Sequence, residues 1–303
     1  MTKQTSLLTF AFALIFNHVA GQSYMEAFSK LISEKDTAGQ KLLLEKWEKE
    51  DGDDAELFVA YFNYYVVKSK NNMVTLGHDP KGKDALQIMD QDTNQTEPVG
   101  YLYDHTFYDP ELVNEGFAWI NRGIAKHPDR LDMRFGKIYM LGTLEDYVSF
   151  TEEIIKTLDY STLNQNEWIW SENEPLEDPK EFMLGSIQSY QVQLYVTEDE
   201  ELLNNMQAIA ETVLKYYPDH IESLSNLSIV YMIREEYDKA VESLLKAEEL
   251  NPKDTIILSN AAHAYRLLGD TANAIKYYEK TIEYGDENAK NFAQGQIDQI
   301  RAE

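Results

Sequence analysis

Residues 221–254 read IESLSNLSIVYMIREEYDKAVESLLKAEELNPKD, and residues 255–288 read TIILSNAAHAYRLLGDTANAIKYYEKTIEYGDEN. Set one beneath the other, they repeat their chemistry at thirty-four residues: Pro218 recurs as Pro252, Asn226 as Asn260, Tyr231 as Tyr265 and Ala240 as Ala274. A period of that length is the size of a helix–turn–helix unit, which cannot bury its apolar face alone and must stack on neighbours. Small residues at Ser228, Ala240 and Ala262 let helices approach closely. Tyr231, Leu244, Tyr265 and Tyr278 have the bulk to fill the grooves between them. Glu235–Glu236 and Gly269–Asp270 interrupt the apolar periodicity where each unit must turn, and Pro252 stops a helix.

The pattern resembles the tetratricopeptide repeat (TPR), which runs large, Leu, small, Tyr, then Ala, aromatic or Leu, Ala and Pro. Leu224, Leu227, Ser228, Tyr231, Ala240, Leu244, Ala247 and Pro252 fill those places in the first copy. Leu258, Ala261, Ala262, Tyr265, Ala274 and Tyr278 do so in the second, while Thr281 and Asp286 depart from the last two, as at the end of an array. The resemblance implies an all-α fold, a TPR-like α-solenoid of antiparallel helix pairs, that binds a protein or peptide without catalysis.

Outside 218–288 the repeat is faint but the helical rhythm persists. Residues 187–217 hold two amphipathic patterns ending at Pro218. GFAWINRGIAKHPDR ends a helix at Pro128, and LDMRFGKIYMLG with LEDYVSFTEEIIKTL forms a pair. AGQKLLLEKWEKE and AELFVAYFNYYVVKSK form another, with DGDDA between them. Two segments break the rhythm. Residues 73–108 hold short β-leaning runs (MVTLG, ALQIMDQ, VGYLYDHTF) separated by turn residues, which predicts a small β-hairpin or meander inserted in the helices. Residues 159–181 are polar and read as a loop dividing a divergent helical region, 23–158, from TPR-like repeats at 182–288; residues 289–303 fit a capping helix.

Residues 1–22 read as a secretory signal: Lys3, the apolar run LLTFAFALIF, and Val19-Ala20-Gly21 before Gln22. The apolar run is too short to span a bilayer, so the expectation is an exported, periplasmic or secreted protein without an integral membrane anchor. Acidic residues outnumber basic ones 53 to 27, a formal charge of −26. That surface repels nucleic-acid phosphates and anionic lipids, whereas a cationic protein is its electrostatically natural visitor. Chains of this shape are also charged simply to stay soluble. No cysteine is present, so neither disulfides nor thiolate metal sites can form.

Few motifs offer chemistry. Gly77 to Asp84 approximates a phosphate loop, but Asp84 replaces the hydroxyl that would hold magnesium and a β-like run follows instead of a helix. Asp90 to Thr96 approximates the opening of a calcium loop, yet Gln95 stands where Gly should allow the bend and Tyr101 where Glu should close the cage; Asn94-Gln-Thr96 is also a glycosylation acceptor pattern. The histidines share no metal-ligand spacing, and no nucleophile motif occurs, so neither cofactor, metal nor catalysis is expected. Trp168 and Trp170 either anchor a loop or offer a sugar-stacking face, which makes an envelope protein that binds or acts on carbohydrate the alternative reading. A structural subunit of an envelope assembly, with flat apolar faces, is a third.

The candidate site lies on the first helix of each clear repeat. Positions two, six, nine and thirteen share a stripe: Glu222, Asn226, Ile229 and Ile233, then Ile256, Asn260, His263 and Leu267, flanked by Ser225, Ser259, Met232 and Arg266. Asn at the sixth position in both copies resembles the asparagine ladder by which some TPR proteins grip a peptide backbone, since an amide can both donate and accept. The partner-binding residues expected are therefore Asn226, Ile229, Met232, Asn260, His263, Arg266 and Leu267, with Ile256 adding apolar contact. The competing reading has Asn226 and Asn260 bonding to the neighbouring helix.

Overall fold

The computed structural model describes residues 24–80, 84–89 and 97–302. The signal-like segment 1–22, residues 81–83 of the phosphate-loop-like turn, and the calcium-loop-like segment 90–96 with its Asn94 acceptor lie outside the described residues. The chain forms two compact units, one of Met1–Lys137 with Ile169–Pro175, the other of Ile138–Trp168 with Leu176–Glu303.

The first unit holds a helix through 24–33 (α1), α2 (Thr37–Glu50), α3 (Ala55–Ser69), strands β1 (Lys70–Gly77), β2 (Ala85–Ile88) and β3 (Gly100–Tyr108), α4 (Pro110–Lys126) and the start of α5 (Leu131–Thr143). The second holds the end of α5, α6 (Tyr147–Leu163), α7 (Pro179–Tyr195), α8 (Leu203–Tyr216), α9 (Ile221–Ile233), α10 (Tyr237–Leu250), α11 (Thr255–Leu268), α12 (Thr271–Tyr284) and α13 (Glu287–Ala302). Among the described residues the fold is all-α apart from one three-stranded antiparallel sheet, ordered β1-β3-β2. Helix α6 and the start of α7 occupy both ends of the segment 159–181, leaving 164–178 as its non-α part.

Two turns recur, and they organise the helices into pairs. The first closes a pair from within, at 31–36, 141–146, 231–236 and 265–270. In each, the sixth N–H donates to the first carbonyl and the fifth to the second, as Asp270 to Tyr265 (2.9 Å) and Gly269 to Arg266 (3.0 Å). This is the Schellman closure, which puts its fifth residue in the left-handed region. Lys35, Glu145, Glu235 and Gly269 have φ of 56°, 59°, 61° and 84°. The acidic residue that follows caps the next helix: Asp36, Asp146 and Asp270 accept the N–H of Gly39, Ser149 and Asn273.

The second turn joins one pair to the next, at Asp51-Gly-Asp-Asp54, His127-Pro-Asp-Arg130, Tyr217-Pro-Asp-His220 and Asn251-Pro-Lys-Asp254. The first residue donates to the carbonyl four back, ending a helix, and accepts from the fourth: Asp54 to Asp51 at 3.3 Å, Arg130 to His127 at 3.1 Å, His220 to Tyr217 at 3.0 Å and Asp254 to Asn251 at 3.2 Å. Proline suits the second place because its φ is preset and its missing N–H has no helical partner to lose. The pair α3–α4 has the sheet where its inner turn would be. Lys70 pairs with Tyr108, and the Asp109 N–H donates to the Ser69 carbonyl at 2.9 Å, so the insertion leaves and rejoins the helices at one point. Helices α3 and α4 then pack closely; a Cβ on Gly123 would sit 2.7 Å from the Phe58 Cβ.

The first unit's core stacks Tyr61 on Trp119 (centroids 3.6 Å apart, 10° between planes) beside buried Leu44, Trp47 and Phe58. Buried Arg130 pins it: its guanidinium reaches Glu56 at 2.8 Å and grips Asp132 with two bonds of 2.8 Å, while the Glu172 N–H donates to Glu56 at 2.7 Å. The second unit's core alternates small and large residues. Ala240, Ala247, Ala261, Ala262, Ala264 and Ala274 are buried against Leu244, Leu258 and Tyr278.

Arg130→Ala strands the buried Glu56 carboxylate and leaves the partly buried Asp132 unpaired, and the first unit should lose about 3–5 kcal/mol, read from urea unfolding; an unchanged midpoint would refute the role. His220 caps α9, its Nδ1 accepting the Ser223 N–H at 3.2 Å while Nε2 faces Glu222 at 3.3 Å. Desolvation pushes its pKa below 6.5, outweighing the opposing pull of Glu222 and Glu181; Lys180 adds to the lowering. Neutral His220 therefore stabilises the fold fully above the unfolded-state pKa, and that contribution is lost as pH falls through 6.5 towards the depressed folded value. His220→Asn, a competent cap without a titrating ring, should flatten the fall in melting temperature over that interval.

Candidate functional site

The stripe is carried by α9 and α11, which start thirty-four residues apart and occupy equivalent places in successive pairs. Asp254 fixes the start of α11 by accepting the N–H of both Ile256 and Ile257, as His220 fixes that of α9. The helices stack through their small residues, Ser228 and Ala262 both being fully buried.

The two asparagines have unequal settings. Asn226 is only 6% exposed and exchanges hydrogen bonds with Gln188 of α7, donating at 2.7 Å and accepting at 3.4 Å. Asn260 is half-buried and donates to the Ser225 hydroxyl of α9 at 3.5 Å. Each amide thus reaches back to the preceding first helix. Asn260 also lines a shallow pocket with Thr255, Ile256, Ser259, Thr281 and Ala289.

The flanking residues divide in the same way. Ile229 and Met232 are half-buried, Met232 against the alanine-rich core. Ile256, Ile233 and Leu267 stand 69%, 42% and 39% exposed. His263 lies at the surface; partial desolvation of its ring and then the nearby Arg266 charge lower its pKa, which favours the neutral form. Arg266 is held by the last helix, donating to Gln296 at 2.8 Å and Gln299 at 3.4 Å. What remains at the surface is an apolar row with one part-exposed amide and a histidine that can donate or accept.

Sequence reading did not identify Gln188 and Ser225 as the partners of the asparagines. Gln188 is one of three glutamines on α7, with Gln191 and Gln193, so nothing in the sequence singled it out. Trp168 is 2% exposed and packs on Tyr160 (centroids 5.7 Å), so it offers no platform to a sugar. Trp170 is half-buried, edge-on to Phe135. Among the described residues no group of three or more His, Asp or Glu is placed to hold a metal ion, and no helix is long and apolar enough to cross a membrane.

Sequence profiles of the tetratricopeptide repeat match residues 221–254 and 257–290. No curated protein matches the chain. Among solved structures, the chain is similar to YrrB, described as a TPR protein with an unusual peptide-binding site, at 14% identity over 83% of this chain and 97% of that one, with a TM-score of 0.39. It is also similar to a tetratricopeptide repeat protein from Parabacteroides merdae, at 10% identity over 93% and 87%, with a TM-score of 0.38. The RpL4 assembly chaperone Acl4 matches at 11% identity over 93% and 98%, with a TM-score of 0.38. Residues 221–254 and 257–290 are thus two successive tetratricopeptide repeats, set in a chain whose other helices also form pairs.

Proposed function

We propose that this protein is an exported, non-catalytic scaffold that binds a protein or peptide on the first-helix face of its regular repeats. The observation that carries the reading is the row of Ile233, Ile256 and Leu267, apolar side chains left at the surface of helices whose opposite faces are buried. Isolated exposed apolar residues need no explanation, but Ile256 and Leu267 bracket Asn260 and His263 on one stripe of α11, and Ile233 holds on α9 the place that Leu267 holds on α11, so the stripes offer spaced apolar contacts to an extended or helical ligand. Asn260 and His263 add polar contacts that can engage a ligand backbone. Asn226 supports the site from behind by holding α9 to α7. Export rests on the leader-like residues 1–22. The net charge of −26 favours a cationic partner over nucleic acid.

Binding can be tested with a peptide selected on the full chain from a random library. Ile256→Asp with Leu267→Asp should abolish its binding while leaving the helical circular dichroism unchanged. Asn260→Ala should weaken it by about 0.5–1.5 kcal/mol, whereas Asn226→Ala should cost stability, about 1–3 kcal/mol, because Gln188 loses its partner. Undiminished affinity in the double aspartate variant would end this reading. Export predicts an intact mass beginning at Gln22 when the protein is purified from its native cells, and retention of Met1 to Gly21 would refute it.

A further inference from the structure

The α7–α8 pair departs from the short inner turn. Helix α7 stops at Tyr195 and α8 begins at Leu203, and the intervening chain passes through Glu198 at φ 57° and a 3-10 turn over Glu200–Leu202. Asp199 caps that turn by accepting the Glu201 N–H at 2.9 Å. The longer connection leaves a pocket of about 340 Å³ between the ends of α7 and α9 and the start of α8. Leu194, Leu203 and Met206 are its buried floor; Tyr195, Val196 and Ile233, at 49%, 66% and 42% exposure, are its walls.

Charge distinguishes this notch from an ordinary apolar dent. Glu198, Asp199 and Glu200 line its mouth, and among the described residues Glu198 and Glu200 form no ion pair. The carboxyl ends of α7 and α9 meet there with no basic residue in either last turn, so both helix dipoles add negative potential. Arg234, which follows α9, is turned onto Asn204 and Gln207. A purely apolar occupant would leave the rim uncompensated, and a bare cation would leave the walls wet. A lysine or arginine side chain answers both, with methylenes against the walls and its charge at the rim.

We infer that this notch receives a lysine or arginine side chain of a bound peptide. The inference rests on the chain being a peptide-binding scaffold, and it adds a cation-selective anchor point beyond the α9–α11 row. Ile233 belongs to both surfaces, so a ligand lying on the row can place a basic residue in the notch.

The test is methyl-labelled nuclear magnetic resonance on the full chain, titrated with acetyl-Ala-Leu-Lys-Leu-Ala-amide and with the same peptide carrying Glu for Lys. The lysine peptide should shift the methyls of Leu194, Val196, Leu203 and Ile233, and the glutamate peptide should not. Glu198→Gln with Glu200→Gln should weaken the lysine peptide about ten-fold, as should high salt. Equal affinity in the Gln variant, or equal shifts with both peptides, would overturn the inference. Shifts at Ile256 and Leu267 without any at Val196 would overturn it while leaving the proposed binding face intact. Notch shifts that persist in the Ile256→Asp, Leu267→Asp variant would support it even if the row binds nothing.

Discussion

An amphipathic helix hairpin has two sides that want cover and only one partner of its own, and this molecule is built around that shortage. In the regular repeats the solution is close approach. Alanines 240, 247, 261, 262, 264 and 274 are all buried, so backbones come near enough for Leu244, Leu258 and Tyr278 to fill the space between pairs. Any larger residue at these positions would force the helices apart along their length. At the chain's end the same need is met by α13, whose Ala293, Ile297 and Ile300 face the core while Gln296 and Gln299 hold Arg266. The repeat formed by α11 and α12 therefore packs its next apolar face against α13.

The regular half was legible because its side chains obey the pattern. Pro218 and Pro252, the alanines and the tyrosines each have one physical job, and their spacing could be read directly. The β insertion was legible from alternating apolar runs between turn residues, though β1 begins at Lys70, where Asn71 and Asn72 carry no strand signal. The upstream pairs were harder because what they share with the regular repeats is backbone, not side chain. Lys35, Glu145 and Glu235 take the left-handed position that glycine would advertise, at a cost of roughly 1–2 kcal/mol each. The capping acids Asp36, Asp146 and Asp270 are the better signal, but in so acidic a sequence they do not stand out. The second turn, with proline at 128, 218 and 252, was visible as three helix stops but not as one recurring motif.

The candidate face was legible in part for a similar reason. Helical spacing put Asn226 and Asn260 on one stripe, yet spacing within a helix says nothing of what the helix leans on. Gln188 lies on α7, outside the clear repeats, and its pairing removes Asn226 from the surface while leaving Asn260 half-exposed. For the tryptophans of the connecting segment, both an anchoring and a sugar-stacking role were open in the sequence, and Trp168, one of the larger fully buried side chains in the molecule, takes the anchoring one.

The sheet's attachment has a consequence of its own. Because its first and last residues sit side by side at Ser69 and Asp109, the excursion adds no net displacement to the path of the backbone. Whatever lies between those two anchor residues can grow, shrink or change its secondary structure without altering the angle at which α4 returns to α3. Evolution can thus use that point as a socket for interchangeable appendages, with the helical frame indifferent to which one it carries.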